Sequence, residues 1–178
     1  MSEETFEEAR KGMRRLEAAF LPRITLKSLK HAASLSEETL AFTATVYFDG
    51  QRIGQGRNDG HGGCTDVLPS SAIERERFNA ARDEIKAHPD ADQYCDMDFL
   101  VSCAVDRDLR LRDDKRLVKA GKIAWVDSKK PSHVVSVKWK AVAAGWPQTK
   151  AEFLAEAQKE EWITDPSTVT FVNDRVSL

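Results

Sequence analysis

The apolar residues of the first twenty positions recur at steps of three and four. They are Phe6, Ala9, Met13, Leu16 and Phe20. On a helix this spacing gathers them into one stripe, so the pattern predicts a helix over residues 4–20. Pro22 ends it, because proline cannot continue the hydrogen bonding of a helix. We expect residues 1–22 to be an N-terminal helix that is an appendage or contacts a partner.

In the segment 39–48 the pattern is different, because apolar and polar positions alternate. The residues of its apolar face are Leu40, Phe42, Ala44, Val46 and Phe48. Alternation predicts a strand with one buried face. Asp49 and Gly50 then have the composition of a two-residue turn, which predicts a hairpin. The return strand is expected to place Ile53 opposite Val46.

The rest of the chain divides into further helical and strand patterns. Helices are predicted over 72–87 with Ile73, Phe78, Ala81 and Ile85 inward, over 92–120 with Gly121 at its end, and from a cap at Thr149 to about residue 160. Strands are predicted over 24–31, 122–127, 133–139 and 168–173. Because strands come in adjacent pairs, we expect an α+β fold with a mainly antiparallel sheet of two hairpins and a last strand, packed helices and the N-terminal helix. Residues 23–178 are expected to form a single α+β domain.

Charge and cysteine content limit the classes of function. The 178 residues carry a formal net charge of −2 and include three cysteines. A nearly neutral chain has no overall positive field to draw it to nucleic acid or acidic lipid. Few cysteines, odd in number, indicate a reducing compartment, and no apolar run has the length of a membrane span. We expect a cytoplasmic protein with no membrane partner.

Glycine is concentrated in the segment 54–64, which holds five of the chain's nine glycines. Successive amides in such a turn can bind an anion, but the segment lacks the lysine of a phosphate-binding loop. It can equally serve as a hairpin exit that needs positive φ, or as a surface that contacts a protein. The predicted binding residues are Arg57, Asn58, Asp59, Gly60, His61, Gly62, Gly63 and Cys64.

His61 and Cys64 raise the possibility of covalent catalysis. A cysteine beside a histidine can be an activated nucleophile, with the amides of Gly63 and Cys64 as an oxyanion hole. The sequence identifies no acid that orients the histidine, although Asp59 and Asp66 lie nearby. His61 and Cys64 are therefore candidate catalytic residues, while the chain as a whole favours a non-enzymatic protein.

A metal site built from His61, Cys64, Cys95 and Cys103 is a further alternative. Cys95 and Cys103 lie eight residues apart on one predicted helix, which separates them by about 12 Å. That is too far for two ligands of one tetrahedral zinc ion. The sequence predicts neither a metal site nor a cofactor.

Two charged segments have both a structural and a functional interpretation. Basic and aromatic residues that could grip single-stranded nucleic acid are Arg52, Lys129, Lys130, Lys138 and Lys140, with Trp125, Trp139 and Trp146 nearby. We expect Trp125 and Trp139 to anchor a sheet core instead. The acids of 92–98 could bind a divalent ion, but acids at a helix N-terminus are what the helix dipole favours.

The hairpin and its glycine-rich end resemble a group of uncharacterised small proteins from bacteria and their phages or mobile elements. Those proteins share an E-T-x-x-F start, a D-G turn and an N-x-G-x-G-G-C end. The matching positions are Glu38, Thr39, Phe42, Asp49, Gly50, Asn58, Gly60, Gly62, Gly63 and Cys64. The resemblance covers residues 24–66 and assigns no residue a role. It implies a setting in which a protein binds and modulates host machinery, for example as a defence inhibitor.

These observations favour a non-enzymatic protein that binds a macromolecule through the 54–64 segment. A protein partner is favoured over nucleic acid. The alternatives are a protein that binds a nucleotide or nucleic acid, and a cysteine-dependent enzyme that uses His61 and Cys64.

Overall fold

The computed structural model describes residues 3–92, 96–128, 134–138 and 146–176. The chain forms two compact units, Met1–Asp108 and Leu109–Leu178. The described residues contain four α-helices and two antiparallel sheets, which confirms the predicted α+β class. The division expected after residue 22 stays a prediction. Over the described residues, no helix combines the length and the apolar character needed to cross a bilayer.

The helices and strands follow the predicted order with one addition. In chain order they are α1 Glu3–Phe20, β1 Ile24–His31, β2 Phe42–Phe48, β3 Gln51–Asn58, β4 Asp66–Leu68, α2 Ala72–Lys86, α3 Met97–Lys119, β5 Lys122–Asp127, β6 Val134–Lys138, α4 Trp146–Lys159 and β7 Val169–Phe171. The first sheet has the strand order β1-β2-β3-β4 and the second the order β6-β5-β7. Strand β4 was not predicted. Its three residues are too few to show alternation, and it forms because it pairs with the edge of β3.

The hairpin of β2 and β3 confirms the predicted face and turn. Phe42, Ala44, Val46 and Phe48 are buried. Asp49 and Gly50 both have positive φ, 48° and 74°, as a two-residue hairpin turn requires. Thr43 on the opposite face is exposed. The alternation in the sequence therefore predicted the buried face of this strand correctly.

The predicted pairing of Ile53 with Val46 is wrong by one residue. Val46 pairs with Gly54, while Tyr47 pairs with Arg52, so Ile53 is the extra residue of a β-bulge. Ile53 is nevertheless buried. A bulge of this kind lets two residues of one strand face one residue of its partner. The burial of Ile53 depends on tertiary packing, which the residues of the turn alone do not predict.

Two predictions about helices are also wrong in detail. Ile73 was expected to face inward, but it is 60% exposed, and the buried residues of α2 are Glu74, Ala81 and Ile85. Glu74 takes the inner position because it accepts hydrogen bonds from the backbone and hydroxyl of Ser70. Thr149 was expected to cap the last helix, but α4 begins at Trp146 and Thr149 lies buried within it.

The second unit is organised around the central strand β5. One of its clusters joins strand and helix residues, Ile123, Trp125, Phe153, Ala157, Ile163 and Phe171. A second cluster contains Val118, Ala124, Val172 and Val176. Because neighbouring residues of a strand point to opposite faces, Trp125 and Ala124 serve different clusters. The expectation that Trp125 anchors a core is confirmed, while Trp139 lies outside the described residues.

Arg23 joins three parts of the first unit. Its guanidinium donates to the Asp49 carboxylate at 2.9 and 2.6 Å and to the Glu84 carboxylate at 2.6 and 3.0 Å. It also lies 4.4 Å from the ring centroid of Phe48. The guanidinium holds the pKa of Asp49 below its usual value. The hairpin turn is thereby tied to the start of β1 and to α2.

Candidate functional site

Asn58 is the buried centre of the glycine-rich segment. It ends β3, and its amide oxygen accepts from the Thr39 hydroxyl at 2.9 Å and from the Gly60 amide at 2.8 Å. Its amide nitrogen donates to the Gly63 carbonyl at 2.9 Å. A buried side chain that uses both its oxygen and its nitrogen in this way has little freedom to turn. Asn58 therefore sets the course of the chain from β3 to Gly63.

The carbonyl oxygen of Gly60 holds the other side of the segment. Three successive backbone amides, those of Glu37, Glu38 and Thr39, point at this oxygen at 3.0, 3.0 and 3.3 Å. Gly60 has a φ of +91°, and a Cβ there would overlap the carbonyl oxygen of Leu35. Only glycine fits such a position, because other residues rarely adopt this φ and the space is filled.

A chain of hydroxyl groups fixes the end of the segment to helix α3. The Asn58 amide nitrogen lies 3.4 Å from the hydroxyl of Thr65, which lies 2.6 Å from the hydroxyl of Ser102. Ser102 donates to the carbonyl of Asp98, one turn earlier in the helix, at 3.1 Å. Thr65 is buried. The segment is thus held at both ends by groups that are removed from solvent.

The upper surface of the segment is an open depression of about 370 Å³. Its lining residues are Arg57, Asn58, Asp59, His61, Gly63, Cys64 and Asp66. The structure therefore brings most of the predicted binding residues to one place. Gly60 is buried below the surface, and Gly62 is exposed beside it. Asp66 enters the lining although it was weighed only as a possible orienting acid.

His61 has an acidic partner that the sequence did not identify. Its Nδ1 lies 3.3 Å from the Glu37 carboxylate, and the two side chains are 60% and 70% exposed. Cys64 is a free, exposed cysteine. Among the described residues no hydrogen bond joins Cys64 to His61. One sequence signal could have identified Glu37. It directly precedes Glu38 and Thr39, against which the segment folds.

Carboxylates outnumber cations around the depression. Asp59 and Asp66 line it, Glu37 contacts His61, and Arg57 lies 3.6 Å from Asp66. An acidic surface repels phosphate groups, whatever the number of backbone amides nearby. The anion-binding hypothesis for the segment is therefore weakened by its own neighbours.

The predicted basic and aromatic patch falls largely outside the described residues. Lys129, Lys130, Lys140 and Trp139 belong to the parts that are not described. Lys138 is exposed at the end of β6. Arg52 lies 3.1 Å from the carboxylate of Glu74, with which it forms an ion pair. The patch stays a prediction.

The four residues weighed as metal ligands do not form a cluster in the described parts of the chain. Cys95 lies outside those parts, and Cys103 is half-buried on α3, where its thiol contacts the Glu17 carboxylate at 3.7 Å. Cys64 is exposed on the segment. Within residues 3–92, 96–128, 134–138 and 146–176, no group of three or more histidines, cysteines and acids could hold a metal ion.

The acids before α3 have two different roles. Asp96 accepts from the amides of Asp98 and Phe99 at 3.0 and 3.1 Å, which is the capping role expected from a helix start. Asp98 is partly buried, and its Oδ1 has no partner among the described residues. Burial first, and then the nearby carboxylates of Asp96 and Asp66, raise the pKa of Asp98 to about 6, against a stabilising hydrogen bond from the Val67 amide.

Replacing Gly60 and Gly63 by alanine tests whether the segment is held in one shape. We expect Gly60→Ala to lower the free energy of unfolding by at least about 2 kcal/mol, because a Cβ meets the Leu35 carbonyl in a left-handed conformation. Gly63→Ala is the matched control, since a Cβ there has no heavy atom within 4 Å. Urea titration checks both variants. Equal stability of the two would contradict the described packing.

Asp98→Asn should change how stability depends on pH. The folded-state pKa of Asp98 is about 6, above the ordinary value of 3.8, so the protein loses stability as pH rises through this window. The asparagine variant avoids this loss. We expect it to exceed the wild type by up to about 1 kcal/mol near pH 7.5, a figure discounted for partial exposure, and to match it near pH 3.5. Thermal unfolding across this range measures the difference; a gap that is constant with pH would refute the assignment.

Comparisons with known proteins identify no relative of this chain. No protein-family model, curated protein or solved structure matches this chain. The resemblance of residues 24–66 to small bacterial and phage proteins therefore stays a prediction. The arguments for function rest on the geometry of the segment around Asn58.

Proposed function

We propose that this chain is a non-enzymatic protein that binds another protein through the segment 54–64. The observation that carries the proposal is the contrast between the two sides of the segment. Asn58 and Gly60 are buried and hydrogen-bonded beneath it, whereas His61, Gly62, Gly63 and Cys64 are exposed above it. An exposed loop needs no such fixing for stability alone.

A fixed loop favours recognition because less freedom is lost when a partner binds. Ordering a flexible loop on binding costs free energy, and a loop that is already ordered avoids that cost. Two glycines in left-handed conformations, Gly60 and Gly62, are part of this fixed shape. Glycine adopts these conformations without strain, so the residue type itself is fitted to this one shape of the segment.

The chemistry of the surface supports a protein rather than a nucleic-acid partner. The rim carries Asp59, Asp66 and Glu37, and Arg57 is close to Asp66. Nucleic-acid binding is driven largely by cations that neutralise phosphates. A partner protein that offers amides, hydroxyls or basic side chains is complementary to this surface.

The cellular setting is part of the same proposal. The resemblance to proteins of bacteria, phages and mobile elements supports a modulator that acts on host machinery in the cytoplasm, such as a defence inhibitor. The resemblance supports this setting by association, whereas the geometry supports the binding surface itself.

A cysteine-dependent enzyme is the second candidate, and the Glu37 contact favours it. An acid beside a histidine can orient the imidazole toward a nucleophile, and Cys64 lines the same depression. Such a thiol must be more reactive than a free cysteine. Iodoacetamide labelling of Cys64 in the wild type and in Glu37→Gln separates the two candidates, because labelling at the rate of free cysteine in both excludes activation.

Charge reversal at one lining residue tests the binding surface. We expect Asp59→Lys to weaken the affinity for a protein recovered from the host on the immobilised wild-type chain by about tenfold or more, because the substitution places a cation where the proposed partner meets carboxylates. Glu76→Lys is the matched control, since it makes the same change of charge at an exposed position of α2. Titration calorimetry compares them.

Two outcomes would count against the proposal. Equal affinities for Asp59→Lys, Glu76→Lys and the wild type would place the partner elsewhere. Retention of a single-stranded oligonucleotide at low salt, lost on Arg57→Ala but not on Arg75→Ala at an exposed position of α2, would favour nucleic acid instead.

A further inference from the structure

The two sheets have four edge strands, and three of them are protected in recognisable ways. Strand β1 is interrupted between Lys27 and Lys30, where the register shifts and Ser28 has a φ of +52°. Strands β4 and β7 are only three residues long. Bulges, charges and short length are the usual means by which proteins keep an edge from pairing with another chain.

Strand β6 is the exception among these edges. Its five residues pair with β5 in continuous register, from Val134 opposite Val126 to Lys138 opposite Lys122. Within the described parts of the chain, no strand pairs with its other side. The row of backbone groups on that side, which we name the outer edge of β6, can accept a further strand.

Both faces of β6 carry an apolar side chain that the unit leaves incompletely covered. Val135 lies opposite Trp125 and Val134 opposite Val126, so the two valines occupy opposite faces of the sheet. They are 47% and 48% exposed, although Trp125 beside them is only 5% exposed. A strand added at the outer edge would place its own side chains beside both valines and remove them from water.

The charges at the end of β6 select the kind of strand. Lys138 and Lys122 are direct cross-strand neighbours, and like charges in that position are destabilising. The ion pairs described in this unit involve Arg116 with Asp113, Lys150 with Asp174, and Arg175 with Asp114. They include neither lysine. An acidic side chain on an added strand would lie beside Lys138 and offset its charge.

A second copy of this chain is a poorer occupant. The sequence of β6, Val-Val-Ser-Val-Lys, contains no acid, so pairing two copies through this edge would supply no carboxylate to the lysines. A partner strand with alternating apolar and acidic residues matches Val135 on one face of the sheet and Lys138 on the other.

We propose that the outer edge of β6 binds an extended, acidic peptide segment of a partner protein by strand addition, with an acidic side chain beside Lys138. In this mode backbone hydrogen bonds supply affinity and side chains on alternate positions supply specificity. The surface is independent of the segment around Asn58, so either proposal can fail without the other.

Two labelled hexapeptides test the proposal with the full chain. The first alternates valine and glutamate, and the second alternates valine and lysine. Fluorescence anisotropy should show saturable binding of the acidic peptide alone. We expect Lys138→Glu to weaken that binding by about tenfold and to create binding of the basic peptide. Lys115→Glu, an equal change of charge at an exposed position of α3, should leave binding unchanged.

A second variant tests the edge itself. Val135→Lys places a charge on the face where the apolar side chains of the added strand would pack and should also abolish binding of the acidic peptide. Thermal unfolding shows whether this variant folds; if it does not, the exchange of selectivity by Lys138→Glu decides alone. Absence of binding by the wild type, equal weakening by Lys138→Glu and Lys115→Glu, self-association through this edge, or binding of an oligonucleotide in place of the peptide would each overturn the proposal.

Discussion

The side-chain amide of Asn58 is the interaction on which the candidate site depends. It contacts Thr39 before β2, Gly60 and Gly63 within the segment, and Thr65 beyond it. No backbone pattern of a strand or helix could hold these four positions together. An amide left unsatisfied in a buried place costs about 1–3 kcal/mol, so the folded segment and the satisfied amide require each other.

This dependence explains why the site can be exposed without being loose. The hydrogen bonds that determine its shape lie below it and are removed from solvent, and the chain continues to α3 through Thr65 and Ser102. His61 and Cys64 are exposed above this network and take no part in its hydrogen bonds. The ionised carboxyl of Asp98, close to the same junction, works against stability at neutral pH. Unfavourable groups of this kind are commonest where function constrains a fold.

The second unit presents a different kind of surface. The segment around Asn58 presents a fixed loop and acidic side chains, whereas β6 presents backbone groups, two valines and a lysine. The outer edge of a three-stranded sheet is difficult to cover, because each strand that pairs with one edge has an unpaired edge of its own. An added strand from a partner is a direct solution to that constraint.

The sequence by itself determined what depends on neighbours along the chain. Alternation in β2 predicted its buried face, Asp49 and Gly50 predicted the turn, and the apolar stripes predicted the helices, because each of these is a local period or a local preference for φ. The concentration of glycine coincides with the depression, and its role as a binding site stays a prediction. The tertiary structure alone decided the bulge at Ile53, the contact of Glu37 with His61 and the network around Asn58. These features depend on which distant groups meet, and hydrogen-bond partners that lie nineteen to thirty-seven positions apart, such as Asn58 with Thr39 and Thr65 with Ser102, leave no period in the sequence.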